Sequence, residues 1–280
     1  YSKAAKILAS DGLVAVSEES YQEMLSKHPD PDAVHRPSPS NVRSSIPPAS
    51  VSDIPPSLIS ECVKSFPNGT SPGPSGLRAS HLKEGITCPS PTIRSNLLNT
   101  LSDFVNLLSQ GRVPAEIVPH LYGALLFGTR KKSSGIRPIA VGEVMRRLVS
   151  KCLAQTVRQP ALSHLSPQQL GVGTPNGAEA IVHSVRSILQ CDSLPNSSKH
   201  VLQVDFSNAF NTISRDQMFA SVRSHLPSIS SWLELCYSSC PFLHFGDRII
   251  LSKCGVQQGD PLGPLGFAMT LHPLIQQVQN

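Results

Sequence analysis

Apolar residues at helical spacing alternate along this chain with short apolar runs bounded by turn residues. In the first 28 residues Ile7 and Leu8, then Tyr21, Met24 and Leu25, fall at that spacing and predict short helical pieces. From Pro29 to Pro91 the chain holds 13 of its 25 prolines, with many serines. Proline fixes φ and lacks an amide donor, so this stretch is neither one long helix nor a central strand. It reads as extended linker, broken by one amphipathic helix over 57–66 with Leu58, Cys62, Val63 and Phe66 on a face. The run Gly69-Thr-Ser-Pro-Gly-Pro-Ser-Gly76 predicts turn and loop.

The pattern then becomes regular. Residues 92–110 carry Leu97, Leu98, Leu101, Phe104, Val105 and Leu108 on one helical face, and Gly111 follows as a stop. Residues 121–127 and 136–141 predict two strands of a hairpin, with basic residues near its tip. Helices follow over 143–157 and 176–189. Val201-Leu-Gln-Val-Asp205 predicts a short apolar strand that ends in a carboxylate, and Ser214 a helix cap. Residues 242–245 and 248–251, joined by Gly246-Asp247, predict a second hairpin. Residues 264–278 open a further apolar segment. Helices mixed with hairpins predict an α+β fold rather than an alternating parallel sheet.

Composition narrows the class. The 280 residues suffice for one sizeable core, the apolar fraction of 39 % is slightly low, and aromatics make up 5 %. No run of about 18 apolar residues predicts a membrane span. No apolar signal region follows Tyr1, and the absence of a starting Met leads us to expect a piece of a longer protein. Charge is concentrated. Arg130, Lys131, Lys132, Arg137, Arg146, Arg147 and Lys151 face Glu143 alone, an excess larger than the whole chain's +5, so the remainder is near neutral. A basic stretch on a neutral body predicts either an anionic partner or a solvated face. Seven scattered cysteines give no even disulfide framework and fit a reducing compartment. Cys236, Cys240, His244 and Cys254 could compose a zinc set, but their spacing matches no common finger, and buried free thiols are the favoured reading.

Three segments carry chemistry. In Val204-Asp205-Phe206-Ser207-Asn208-Ala209-Phe210-Asn211, an Asp that closes an apolar strand must be compensated by a metal ion or a polar partner, or else it caps the next turn. In Gly255-Val-Gln-Gln-Gly-Asp-Pro-Leu-Gly-Pro-Leu-Gly266, four glycines and two prolines fix a path that is neither helix nor strand and lets a ligand approach the backbone. In Ile136-Arg137-Pro138-Ile139, together with Arg130-Lys131-Lys132, the Arg fork and Lys charges suit triphosphate oxygens.

Taken in order, these segments resemble motif A, motif B and the fingers motif of reverse transcriptases, above all those of non-LTR retrotransposons. The run Thr70-Ser-Pro-Gly-Pro-Ser-Gly-Leu77 resembles the Ser-Pro-Gly-Pro-Asp-Gly segment at the front of non-LTR domains. The resemblance covers about residues 60–280. It implies a right-hand polymerase fold: 1–60 as N-terminal extension or linker, 61–200 as fingers region, 201–280 as partial palm, and no thumb. It implies an RNA-directed DNA polymerase that uses an RNA template, a DNA primer and dNTPs, with no membrane. Asp205 is then the catalytic residue and binds two Mg2+ ions, assisted by the Phe206 backbone carbonyl. Arg137 holds the incoming triphosphate, helped by Lys131 and Lys132. Phe210 excludes a ribose 2′-hydroxyl, and Gln258 and Gly259 line the nucleotide pocket. Asn211 departs from the Asp of many relatives at a position that is not a metal ligand.

Two metal ions want more than one carboxylate, and the family supplies an Asp-Asp pair downstream of motif B. No Asp-Asp occurs in these residues, and no acid follows Asp260. The 280 residues alone are therefore expected to be inactive. Three other readings remain: a non-catalytic nucleic-acid-binding remnant, an RNA-dependent RNA polymerase, against which Phe210 speaks, and an incomplete piece with no independent function.

Overall fold

The computed structural model describes residues 12–31, 53–114, 116–131, 135–191, 195 and 200–279. The helical piece expected at Ile7 and Leu8, much of the proline-rich linker, and Lys132 lie outside the described residues.

Local signals set most helix starts. Helix α1 (Glu18–Ser26) begins at Ser17, whose hydroxyl accepts the Ser20 amide while the Ser20 hydroxyl accepts the Ser17 amide. Glu18 and Glu19 add favourable charge to that first turn. Helices α2 (Pro56–Lys64) and α4 (Pro91–Ser109) open on proline, where a missing amide costs nothing. They match the predictions at 57–66 and 92–110, while α3 (Ala79–Ile86) between them was not foreseen. A helical turn, α5 (Val118–Leu121), displaces the first predicted strand to β1 (Ala124–Arg130). Strand β2 (Ile136–Gly142) pairs antiparallel with it, Ala124 opposite Gly142 and Arg130 opposite Ile136. Helices α6 (Val144–Thr156), α7 (Arg158–Leu165) and α8 (Gly177–Leu189) follow, then the short α9 (Ala209–Thr212). Ser214 caps α10 (Arg215–His225) by accepting the Gln217 amide. A 3-10 turn, Pro227–Ile229, leads to α11 (Ser230–Tyr237). The second hairpin forms where predicted, as β3 (Phe242–Phe245) and β4 (Arg248–Leu251), and α12 (Gly263–Gln279) follows.

The four strands make one mixed sheet in the order β2-β1-β3-β4. Its parallel join pairs Ala124 with Leu243 and Leu125 with His244, so strands from both predicted regions share a sheet. Met24 of α1 packs on the sheet with Leu126, Ile136, Ala140, Leu243, Phe245 and Ile250. A larger core joins α2–α4, α6, α7 and α10–α12. At its centre the Trp232 indole donates to the Ser150 hydroxyl at 3.0 Å and meets the Tyr122 ring edge-on.

One expectation needs correction. Residues 201–205 are not a strand but exposed coil, with Leu202 84 % accessible. Alternating side chains supply only a pattern. A strand also needs a hydrogen-bonding neighbour, and no described segment pairs with this one. Helix α8 forms as predicted, yet Ile181, Val182, Val185, Ile188 and Leu189 on it stay exposed.

Candidate active site

The loop between β4 and α12 is the frame of the site, and a buried ion pair fixes it. Arg146, on α6, is 1 % exposed. Its Nη2 donates to Asp260 Oδ2 at 2.8 Å, and its Nη1 donates to the Tyr122 carbonyl and to Gln257 Oε1, each at 2.7 Å. The guanidinium lies 5.7 Å and 5.3 Å from the centres of the Tyr122 and Tyr237 rings. Burial opposes its charge, but Asp260, helped by Tyr237 and Cys236, more than offsets this and holds its pKa above the ordinary value. Burial first, then the Asp260 charge, push the Tyr237 hydroxyl well above the usual range. It stays protonated and donates to Asp260 Oδ2 at 2.7 Å. The other Asp260 oxygen accepts the Leu262 amide at 3.0 Å, where α12 begins.

A second arginine ties the loop to the hairpin. Arg215 donates to the carbonyls of Gly255, Tyr237, Ser239 and Ser252 at 2.8–3.1 Å. Glycine is required twice. Gly255 has φ +64°, and a Cβ there would overlap the Phe210 carbonyl; Gly259 has φ +126°, and a Cβ would overlap the Ala140 carbonyl.

These close approaches bring several predicted residues together. The Val256 amide donates to the Phe210 carbonyl at 2.7 Å, and the Ala140 amide donates to the Gln258 carbonyl at 2.8 Å. The loop therefore docks on the outer edge of β2, the strand that carries Arg137, and on α9, which carries Phe210. The half-buried Phe210 ring stacks on Phe267 of α12 at 5.2 Å. Gln258 is half-buried and Gly259 exposed. The Arg137 side chain, three residues before Ala140 on β2, and the Lys131 side chain, just past the far end of β1, face solvent, and among the described residues neither has a side-chain partner.

Asp205 stands apart. It lies in the exposed coil, and its carboxylate has no hydrogen bond or ion pair among the described residues. Phe206 lines a groove of about 740 Å³ between α10 and α12 together with Phe267 and Leu274. Among the described residues no group of three or more His, Cys, Asp and Glu side chains is placed to hold a metal ion. One exposed carboxylate falls short of the ligand set that two Mg2+ ions need. The residues present thus do not make the implied two-metal site.

Sequence reasoning missed the buried roles. Arg146 and Arg147 counted toward a surface patch, but both are buried, and Arg147 donates to the Ser71 carbonyl at 2.6 Å. The exposed part of the patch reduces to Arg130, Lys131 and Arg137 among the described residues. Glu143, the lone acid there, binds the Ser75 amide at 2.7 Å and the Ser75 hydroxyl at 2.6 Å, so it anchors the loop at 70–77. A single acid inside a basic run was the available signal. The thiols of Cys236 and Cys254 are buried, and Cys240 is exposed.

A comparison with protein families bears on these segments together. A family described as reverse transcriptase (RNA-dependent DNA polymerase) matches residues 129–280, from the end of β1 through α12. No curated protein matches the chain. The match takes in more than half of the chain, including β2, the 205–211 segment and the 255–266 loop, and on it the chain belongs to the reverse transcriptase (RNA-dependent DNA polymerase) family.

Proposed function

We propose that this chain is the fingers region and partial palm of a reverse transcriptase from a non-LTR retrotransposon-like element. It would transfer dNTP-derived nucleotides to a DNA primer 3′-hydroxyl on an RNA template. The observation that carries this reading is the double docking of the 255–263 loop, through Val256 on Phe210 and through Gln258 on Ala140. It ties the loop backbone both to the Phe210 segment and to β2, the strand that carries Arg137.

In this reading Arg137, with Lys131 and Lys132, holds the triphosphate by charge-assisted hydrogen bonds. Gln258 and Gly259 offer backbone close to the nucleotide. The Phe210 ring, held against Phe267, closes the space that a 2′-hydroxyl would need. Asp205 supplies the one carboxylate of its segment, which does not by itself complete a two-metal site. Template contacts are made to backbone and shape.

The test is nucleotide selection by the full-length protein. Arg137→Ala should raise the dNTP KM about ten-fold or more, the loss of a charge-assisted pair. Phe210→Ala should admit rNTPs. An unchanged dNTP KM together with an unchanged sugar preference rejects the assignment. A non-catalytic RNA-binding remnant is the second reading. It is favoured by the lone, exposed Asp205, and it predicts salt-dependent RNA binding with no incorporation.

A further inference from the structure

Residues 12–31 carry none of the chemistry discussed so far, yet they touch both sides of the candidate site. The Val14 amide donates to the Gly128 carbonyl of β1 at 2.8 Å, and Met24 is fully buried under the sheet. Glu23 Oε1 accepts the amide of Ile136 at 2.6 Å, and Ile136 is the residue before Arg137. One turn further along α1, the carbonyl of Lys27 accepts the side-chain amide of Asn208 at 2.8 Å. Lys27 O is among the last carbonyls of the helix, which have no partner within it. Asn208 lies three residues after Asp205 and two before Phe210. It has φ +55°, in the left-handed region that asparagine tolerates, and its Oδ1 accepts Asn211 Nδ2 at 3.0 Å.

We propose that α1 is a strut that sets the separation between the Arg137 strand and the 205–210 segment, with Glu23 and Asn208 as positioning residues at its two contacts. The proposal rests on the reading of those two segments as the nucleotide site. Glu23 and Lys27 are about 6 Å apart along the helix axis. The helix is capped at Ser17 and held by the buried Met24, so this spacing is rigid. Among the described residues the 205–207 coil has no strand partner, and the Asn208 contact with Lys27 ties its end to α1.

The test uses nitroxide side chains introduced as unnatural amino acids at Lys131 and Ser207 of the full-length protein, read by pulsed dipolar spectroscopy. The unsubstituted background should give one narrow distance distribution. Glu23→Ala should broaden it, and Glu23→Gln, which keeps an acceptor oxygen, should restore it. Asn208→Asp should also broaden it, because it keeps the left-handed backbone and the acceptor for Asn211 but removes the donor to Lys27. In steady-state assays Glu23→Ala should raise the dNTP KM about five-fold with kcat almost unchanged, whereas loss of folded enzyme would lower kcat. Distributions unchanged in both Glu23→Ala and Asn208→Asp overturn the strut. If Asp205→Ala leaves synthesis intact while the distributions still broaden, the polymerase reading fails and the strut stands.

Discussion

Replacing Asp260 by leucine would leave the Arg146 guanidinium charged, buried and without its acid. The carboxylate holds three donors: Arg146 Nη2 at 2.8 Å, the Tyr237 hydroxyl at 2.7 Å and the Leu262 amide at 3.0 Å. Removing one partner of a buried ion pair costs about 3–5 kcal/mol, and the stranded Tyr237 hydroxyl adds about 1 kcal/mol. Set against a typical total of about 5–15 kcal/mol, Asp260→Leu should leave the fold marginal. Urea unfolding should show a midpoint lower by about 2 M, given a slope of about 2 kcal/mol per M. The companion variant Arg146→Met leaves the Asp260 carboxylate buried without its cation, again at about 3–5 kcal/mol, and also strands the Tyr122 carbonyl and Gln257 Oε1. Combining the two removes both charges, so the double variant should be about 2 kcal/mol or more better than the sum of the singles. A single variant within about 1 kcal/mol of the parent, or a double variant that is merely additive, would refute the claim that this pair fixes the loop.

Gly259→Ala places a Cβ against the Ala140 carbonyl at a left-handed φ, so it should cost about 1–3 kcal/mol and break the Gln258–Ala140 hydrogen bond, read as a lower Tm. Where α7, α10 and α12 meet, His164 stacks on His225 with ring centres 3.9 Å apart and lies tilted against His272 at 4.6 Å. Burial first, then the neighbouring imidazoles, lower the pKa of His164 and His272 below the ordinary 6.5. The Gln169 amide faces His272 Nδ1 at 3.1 Å while also donating to the Ala268 carbonyl, which makes Nδ1 an acceptor. The unfolded chain therefore binds more protons below the ordinary value, and stability should be full above pH 7 and fall as pH drops through about 6.5. Thermal melts between pH 7.5 and pH 5 should show that fall, and His164→Gln should flatten it; an unchanged slope excludes the cluster as its source.

How much was legible followed the range of the interaction. Ser214 as a cap, the Gly246-Asp247 turn and the apolar face of 92–110 are local, and each appeared where the sequence placed it, except that Phe104 of that face is exposed. The path of the 255–262 loop, neither helix nor strand, was also legible, because glycine and proline mark a backbone path without reference to the rest of the chain. Long-range pairing was not. Nothing near Arg146 indicates that its partner is Asp260, so charge counting put it on the surface. Glu143 was read as an opposing charge, although it holds Ser75 across the fold. The strand at 201–205 failed for the same reason, since its pattern says nothing about a neighbour. Residues 12–31 looked chemically empty because Glu23 and Lys27 act on the site through one carboxylate oxygen and one carbonyl.

The most direct test is primer extension by the full-length protein, on an RNA template with a DNA primer, dNTPs and Mg2+ supplied. The account predicts template-directed DNA synthesis that Asp205→Ala reduces by about a thousand-fold or more, the loss of about 4 kcal/mol of transition-state stabilisation. Synthesis that survives Asp205→Ala would contradict it, as would RNA binding by the unsubstituted protein with no nucleotide added.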